Sequence, residues 1–139
     1  MKEIVLALMV WIGANTDYVM EVPHPTILRA TQADLQEKTG GVYGGRHVLG
    51  VYMHRTRTVY LDEGVDENTP SGKSTIVHEL VHHYQSVSRR AVSNACLFEA
   101  EAYSIEDKWR RQNKLPETAR SPSLIYWMGK CVMEHEYVP

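Results

Sequence analysis

One five-residue pattern constrains this chain more than any other feature. His78, Glu79 and His82 form the motif His-Glu-x-x-His. On a helix, the two histidines lie four residues apart on one face, one turn above the other. Two imidazole rings placed in this way can bind one metal ion, and Glu79 can reach a water molecule beside that ion. The pattern therefore requires a helix and predicts a metal site on it.

The residues around the motif support a helix over positions 71–87. Apolar side chains recur there with the spacing of a buried helical stripe, at Ile76, Val77, Leu80, Val81 and Tyr84. Thr69 and Pro70, just before the stripe, suit an N-cap and a first helical turn. The alternative is a half-buried helix with two surface histidines. We favour the metal site, because two histidines and a glutamate at these positions contribute little to packing.

A catalytic metal site of this kind needs a third protein ligand. The metzincin continuation of the motif requires glycine at position 85 and histidine at position 88, but the chain has Gln85 and Ser88. The inverted motif His-x-x-Glu-His does not occur in the sequence. The remaining common option is a glutamate on the following helix.

The next helix is predicted over positions 94–113. At 100° per residue, Glu99 and Glu106 fall on one face, together with Cys96, Ala102 and Tyr103. Glu101 lies about 200° from Glu99 and is expected to point away from that face. Glu99 and Glu106 are therefore the predicted inward carboxylates.

Here the sequence resembles a known class of enzymes. His78-Glu79-x-x-His82 followed by Glu99-Ala-Glu-Ala-Tyr103 is similar to gluzincin-type zinc metallopeptidases, whose second helix reads E-x-x-A-D or E-x-E-A-D. The resemblance implies a zincin-like fold and one Zn²⁺ per chain held by His78, His82 and Glu99. It also implies that Glu79 is the general base and that the substrate is a peptide or protein.

The chain departs from that resemblance at one position. The family's aspartate, which supports a ligand histidine, falls on Tyr103, whose phenol can hydrogen-bond but is uncharged at neutral pH. Tyr103 is thus a candidate for a supporting role or for a second electrophile, and the other candidates for an electrophile are His83, His135 and Tyr137. Two other functions remain open: a zinc-binding or partner-binding module without activity, and a hydrolase of non-peptide amides.

Composition sets wider limits. The chain has 139 residues, which predicts one domain over 1–139, with 43% apolar and 23% charged residues. The net charge of −2 and the lack of a basic block in the sequence argue against a nucleic-acid partner. The apolar stretch over positions 4–12 is too short to span a membrane and is predicted to be a buried N-terminal helix, with a signal-like segment as the alternative.

Two cysteines, Cys96 and Cys131, leave three readings open. They can form a disulfide in an exported protein, remain buried thiols, or, for Cys96, bind the metal. The compartment is therefore not fixed by the sequence, although a cytoplasmic location is slightly favoured.

The rest of the chain predicts an α+β architecture. A strand is expected over 26–30, a helix over 32–38 capped by Thr31, and a hairpin of strands over 47–54 and 58–62. By the resemblance, one of the hairpin strands forms a rim of the substrate cleft. A last helix is expected over 124–134. His47 and His54 are expected at the surface, and the segment around Gly72 lacks the glycine spacing of a phosphate-binding loop.

Overall fold

The computed structural model describes residues 1–18, 21–41, 44–88 and 95–118. Within them, four helices and a three-stranded sheet give a mixed α+β architecture. In chain order the elements are α1 (Lys2–Asn15), β1 (Thr26–Ala30), α2 (Gln32–Lys38), β2 (Gly50–Met53), β3 (Thr58–Asp62), α3 (Pro70–Val87) and α4 (Ala95–Gln112). None of these described helices is both long and apolar enough to cross a membrane.

The sheet has the strand order β1-β3-β2, so β3 is central. β2 and β3 form the predicted antiparallel hairpin, with Val51 opposite Tyr60. β1 pairs with the other side of β3 in parallel, with Leu28 opposite Tyr60. The parallel pairing places α2, which follows β1, against one face of the sheet. The opposite face is left for α3.

The main core lies between that second face and the helices α1, α3 and α4. All five residues of the predicted stripe on α3 have no solvent exposure. The core partners of this stripe are Val59 and Leu61 of β3, Val5, Leu8, Met9 and Ile12 of α1, and Ala102 and Trp109 of α4. α3 is therefore surrounded by packed elements on most sides, and this fixes the direction in which its polar side chains point.

The element predictions that fall on the described residues are confirmed, with small changes at the ends. β1, α2 and β3 have the predicted bounds, and the N-terminal segment is a helix that buries Val5, Leu8, Met9 and Ile12. β2 is shorter than the predicted 47–54, because residues 47–49 and residue 54 are not in a strand. The predicted last helix, His135, Tyr137 and Cys131 lie outside the described residues, as does the side chain of Cys96. The proposed cysteine pairing therefore stays a prediction.

Candidate metal centre

α3 begins where the sequence predicts and presents both histidines of the motif on one face. The side chain of Thr69 caps the helix by accepting a hydrogen bond from the backbone N–H of Gly72 at 3.0 Å, and Pro70 occupies the first turn. A Cβ at Gly72 would lie 1.8 Å from the carbonyl oxygen of Asp66, so only glycine allows the preceding loop to fold over the helix start. The glycine that resembled part of a phosphate loop thus has a structural role.

Glu99 of α4 meets the two histidines across the helix–helix interface. The Nε2 atoms of His78 and His82 are 3.3 Å apart, and Glu99 Oε1 is 2.5 Å from Nε2 of His82. Glu99 Oε2 is 3.6 Å from Nε2 of His78. Ligand bonds of 2.0–2.1 Å in a tetrahedral arrangement would separate the ligand atoms by about 3.3 Å. The three side chains are therefore arranged as a group that could hold a metal ion.

The electrostatics of this group also suit a cation. Nε2 of His78, Nε2 of His82 and a carboxylate oxygen of Glu99 all carry lone pairs and lie close together. These atoms repel one another unless a proton or a positive ion lies between them. Glu99 Oε2 is a buried oxygen without a hydrogen-bond partner. Burial of an unsatisfied carboxylate oxygen costs free energy, and a metal ion at this point would remove that cost.

His78 is supported by a carboxylate. Glu106 Oε2 lies 2.9 Å from Nδ1 of His78, and both residues are buried. The hydroxyl of Ser74 donates to Glu106 Oε1 at 2.6 Å, and Nη1 of Arg110 donates to the Ser74 oxygen at 2.9 Å. This chain of contacts keeps the proton of His78 on Nδ1 and leaves Nε2 to face Glu99.

His82 is supported by a neutral amide instead. Its Nδ1 lies 2.7 Å from Oε1 of Gln85. The amide nitrogen of Gln85 donates to the carbonyl oxygen of Phe98 at 3.0 Å and to Glu101 Oε1 at 3.1 Å. Because both of these partners are acceptors, Gln85 must turn its own acceptor towards His82. The hydroxyl of Tyr18 donates to the same Glu101 oxygen.

The pKa shifts at the centre follow from these contacts. Burial by itself would raise the pKa of Glu99, but the neighbouring imidazoles of His78 and His82 outweigh burial and hold the pKa well below its usual range. Burial likewise opposes the charged form of His78, but Glu106 and Glu99 outweigh it and raise the pKa of His78 well above normal. The contacts of the candidate centre therefore favour positive charge at this point.

Glu79 lies beneath the edge strand β2. The side chain is 5% exposed, and burial is the main reason that its pKa is raised. A Cβ at Gly50 of β2 would lie 3.0 Å from Cγ and 3.2 Å from Oε1 of Glu79. Glycine at position 50 therefore lets the strand pass close above the carboxylate. A raised pKa and partial enclosure are properties of carboxylates that act as general bases.

A groove of about 590 Å³ runs past Glu79 and the metal-facing side of α3. One wall is formed by residues 46–50 and the other by α4. The residues that line it are Arg46, His47, Val48, Leu49, Gly50, Ser71, Thr75, His78, Glu79, Tyr103, Glu106, Arg110 and Thr118. The groove therefore borders the candidate metal centre at His78 and could hold part of a peptide.

β2 offers a backbone edge to this groove. Within the described residues, β2 pairs with β3 alone, on one side. The backbone N–H of Asp62 donates to the carbonyl of Leu49 at 2.9 Å, so Leu49 and, by alternation, Val51 face β3. The N–H and C=O groups of Gly50 and Tyr52 therefore point away from the sheet.

The other predicted site residues lie as follows. The ring of Tyr103 packs edge-on against the ring of His78, with centroids 4.5 Å apart, and Glu106, one turn along α4, makes the hydrogen bond expected of the family's aspartate. His83 points elsewhere: its Nδ1 contacts the hydroxyl of Tyr52 at 2.9 Å and its Nε2 contacts the carbonyl of Pro23 at 2.6 Å. With both nitrogens engaged there, His83 is wrong as a candidate electrophile.

Sequence reasoning missed three of the supporting residues. Gln85 lies three positions after His82, a spacing that places the two side chains together on a helix and could have signalled the contact. Ser74 lies four positions before His78, a spacing that also places two side chains on the same face of a helix. Glu101 was expected to point away, and it does not reach the metal-facing atoms. It nevertheless contacts Gln85 and so belongs to the support of His82.

Comparison with known proteins places the chain in a family. No curated protein and no solved structure matches it. A family model described as "Domain of unknown function (DUF6647)" matches residues 1–136. Because this match covers nearly the whole chain, the protein belongs to the DUF6647 family.

Proposed function

We propose that this protein is a zinc-dependent hydrolase, a zincin-like metallopeptidase that cleaves peptide bonds. The observation that carries the proposal is the convergence of His78, His82 and Glu99 beside the buried carboxylate of Glu79, under the outer edge of β2, which no other described strand pairs with. Structural zinc sites usually use four protein ligands, whereas three ligands beside an open groove are typical of catalytic ones.

The donor set favours zinc over other divalent ions. Two imidazole nitrogens and one carboxylate oxygen suit zinc, whereas calcium and magnesium prefer oxygen ligands. Glu106 and Gln85 hold the two Nδ1–H groups, so that both Nε2 atoms are available as ligands. When bound, zinc would acidify a water molecule and polarise the carbonyl group of the substrate.

The chain's own residues would then perform the remaining steps. The backbone groups of Gly50 and Tyr52 would pair with an extended substrate, as an added strand pairs with a sheet edge. A carboxylate oxygen of Glu79 would accept a proton from the attacking water and pass it to the nitrogen of the leaving amine. The raised pKa of Glu79 brings that proton transfer closer to neutral pH.

Two measurements test this proposal in sequence. Metal content by elemental mass spectrometry is expected to give about one zinc per chain for the wild type and much less for Glu99→Ala. Cleavage of a fluorogenic peptide library is then expected to fall roughly 100- to 10,000-fold in Glu79→Gln, while zinc content stays at the wild-type level. Glu37→Gln, an exposed change on α2, is the matched control.

The outcomes separate the alternatives. A zinc-loaded protein that cleaves no peptide would support the inactive binding module or a non-peptide amide hydrolase instead. A wild type that takes up no zinc, or a Glu79→Gln variant that cleaves as fast as the wild type, contradicts the mechanism.

A further inference from the structure

The groove contains a half-buried arginine, Arg110, that makes no direct ion pair with any of the described residues. Nη1 of Arg110 donates to Ser74 Oγ at 2.9 Å and Nε donates to the carbonyl of Pro116 at 2.5 Å. In the described part of the chain, no carboxylate lies within ion-pair distance of its guanidinium. The next residue, Arg111, pairs instead with Glu117 at 3.4 Å and does not line the groove.

The other charges of the groove strengthen this observation. Arg46, on the opposite wall, is exposed and adds a second cation. Of the two lining carboxylates, Glu106 is already satisfied by His78 and Ser74, and Glu79 lies beneath Gly50. A guanidinium has five N–H groups, and the described residues engage two of those of Arg110. The other three can donate to a ligand in the groove.

We propose that Arg110 binds a carboxylate group of the substrate, so that the site prefers acidic peptides. This inference rests on the proposed function for its substrate class. The guanidinium fork matches a carboxylate through two parallel N–H···O hydrogen bonds. An acidic side chain and a free C-terminus offer the same chemical group, and both are candidates for the bound carboxylate.

The position of the carboxylate follows from the helix. Ser74, which Arg110 contacts, precedes His78 by one turn, or about 6 Å along α3. An extended peptide advances roughly 3.3 Å per residue. For a peptide that extends along α3, the carboxylate would lie about two residues from the bond to be cleaved, on the side of the groove nearer the N-terminus of α3.

Binding to the inactive protein tests this without reliance on hydrolysis. We would measure the affinity of zinc-loaded Glu79→Gln for fluorescein-labelled hexapeptides of alanine and leucine. Each peptide carries one Glu at a chosen position, and its matched partner carries Gln there. Every peptide is also made in a second matched pair, with a free or an amidated C-terminus. We expect the carboxylate form to bind roughly tenfold tighter in at least one matched pair, as a charge-assisted hydrogen bond requires.

Variants assign that preference to Arg110. The preference is expected to vanish when Arg110→Gln is added and to persist with Arg111→Gln, the matched control on the same helix. Arg110→Lys keeps the charge without the fork and is expected to retain part of the preference. A preference for Glu over Gln identifies a side chain as the source of the carboxylate, and a preference confined to the free C-terminus identifies the terminus.

Two results overturn the inference: equal binding of all matched pairs, or a preference that survives Arg110→Gln. Separate hydrolysis assays on the wild type keep the two proposals distinct. Cleavage without any charge preference contradicts only the role of Arg110. A charge preference in binding without cleavage contradicts only the peptidase proposal.

Discussion

The two histidines of the centre differ in how the surrounding protein holds them. His78 is held by the carboxylate of Glu106, whereas His82 is held by the amide of Gln85. A carboxylate stabilises positive charge on the imidazole, and the raised pKa of His78 reflects this. An amide orients the ring without adding charge. In the candidate centre, His78 is therefore both oriented and stabilised in its charged form, whereas His82 is only oriented.

The supports also differ in their origin. Glu106, Ser74 and Arg110 belong to α3 and α4, so the support of His78 is built within one helix pair. The support of His82 reaches further, because Tyr18, which follows α1, contacts the same Glu101 oxygen as Gln85. The N-terminal segment is thereby linked to the candidate metal centre. The following predictions test this asymmetry through zinc affinity, measured by competition with a chromophoric chelator.

The largest effect is expected for Glu106→Ala. Removal of a carboxylate that supports a ligand histidine typically lowers metal affinity roughly 10- to 100-fold. The buried hydroxyl of Ser74 also loses its acceptor, which costs about 1–3 kcal/mol of stability. Glu106→Gln, which keeps an acceptor for His78 but no charge, is expected to lose less. Equal affinity of the wild type and Glu106→Ala would contradict the role of Glu106.

The second prediction concerns a variant in which both histidines are supported by a carboxylate. Gln85→Glu places a carboxylate beside His82, but Glu101 Oε1 is only 3.1 Å from the amide nitrogen that is replaced. Two carboxylates at that distance repel each other, so zinc affinity is expected to fall about tenfold despite the added negative charge. The double variant Gln85→Glu with Glu101→Gln is expected to recover most of the loss, as a double-mutant cycle would show. Additive losses in that cycle would mean that the two residues do not act together.

A third, smaller effect is expected at the outer part of the His82 support. Glu101→Ala leaves the amide of Gln85 with one acceptor fewer, and Tyr18→Phe removes one donor from Glu101. Each change is expected to lower zinc affinity only about two- to fivefold, since neither residue touches the ligand atoms and the contacts are partly exposed. Thr118, which contacts Asp107, offers a control in Thr118→Val. A loss as large as that of Glu106→Ala would contradict the division into strong and weak supports.

The sequence contained enough information for the helices and for the metal-facing residues, but not for the supports. The stripe on α3 and the cap at Thr69 are local features, so they predict the helix and the face of His78 and His82. The inward faces of Glu99 and Glu106 follow from the period of α4. Which histidine Glu106 contacts depends on how α3 and α4 pack, and no pattern within one helix determines that.

The same limit explains what was missed in the sheet and the groove. The parallel pairing of β1 with β3 joins strands that are separated by α2 and β2, and alternation of side chains gives no information about such a partner. The sequence predicts only that Gly50 lies in a strand. Its close approach to Glu79 exists only because β2 lies over α3 in the folded protein. Arg110 lies in the last turn of α4, where cations are common, and its place in the groove depends on tertiary packing that the sequence pattern does not show.

The last prediction separates Glu79, the proposed general base, from both histidine supports. Gly50→Ala introduces a methyl group 3.0 Å from Cγ of Glu79, closer than such contacts normally are, so the carboxylate or the strand must shift by a few tenths of an ångström. Neither histidine support includes Gly50, and zinc affinity is expected to stay within twofold of the wild type. Peptide cleavage is expected to fall about tenfold or more, because displacement of a catalytic group lowers the rate steeply. Val51→Ala, at the next residue on β2, is the matched control. The side chain of Val51 lies on the opposite face of the sheet, in the cluster that contains Leu35 of α2. If Gly50→Ala lowered zinc affinity as well, Glu79 and the ligands would behave as one unit, and the separation between metal binding and proton transfer would be lost.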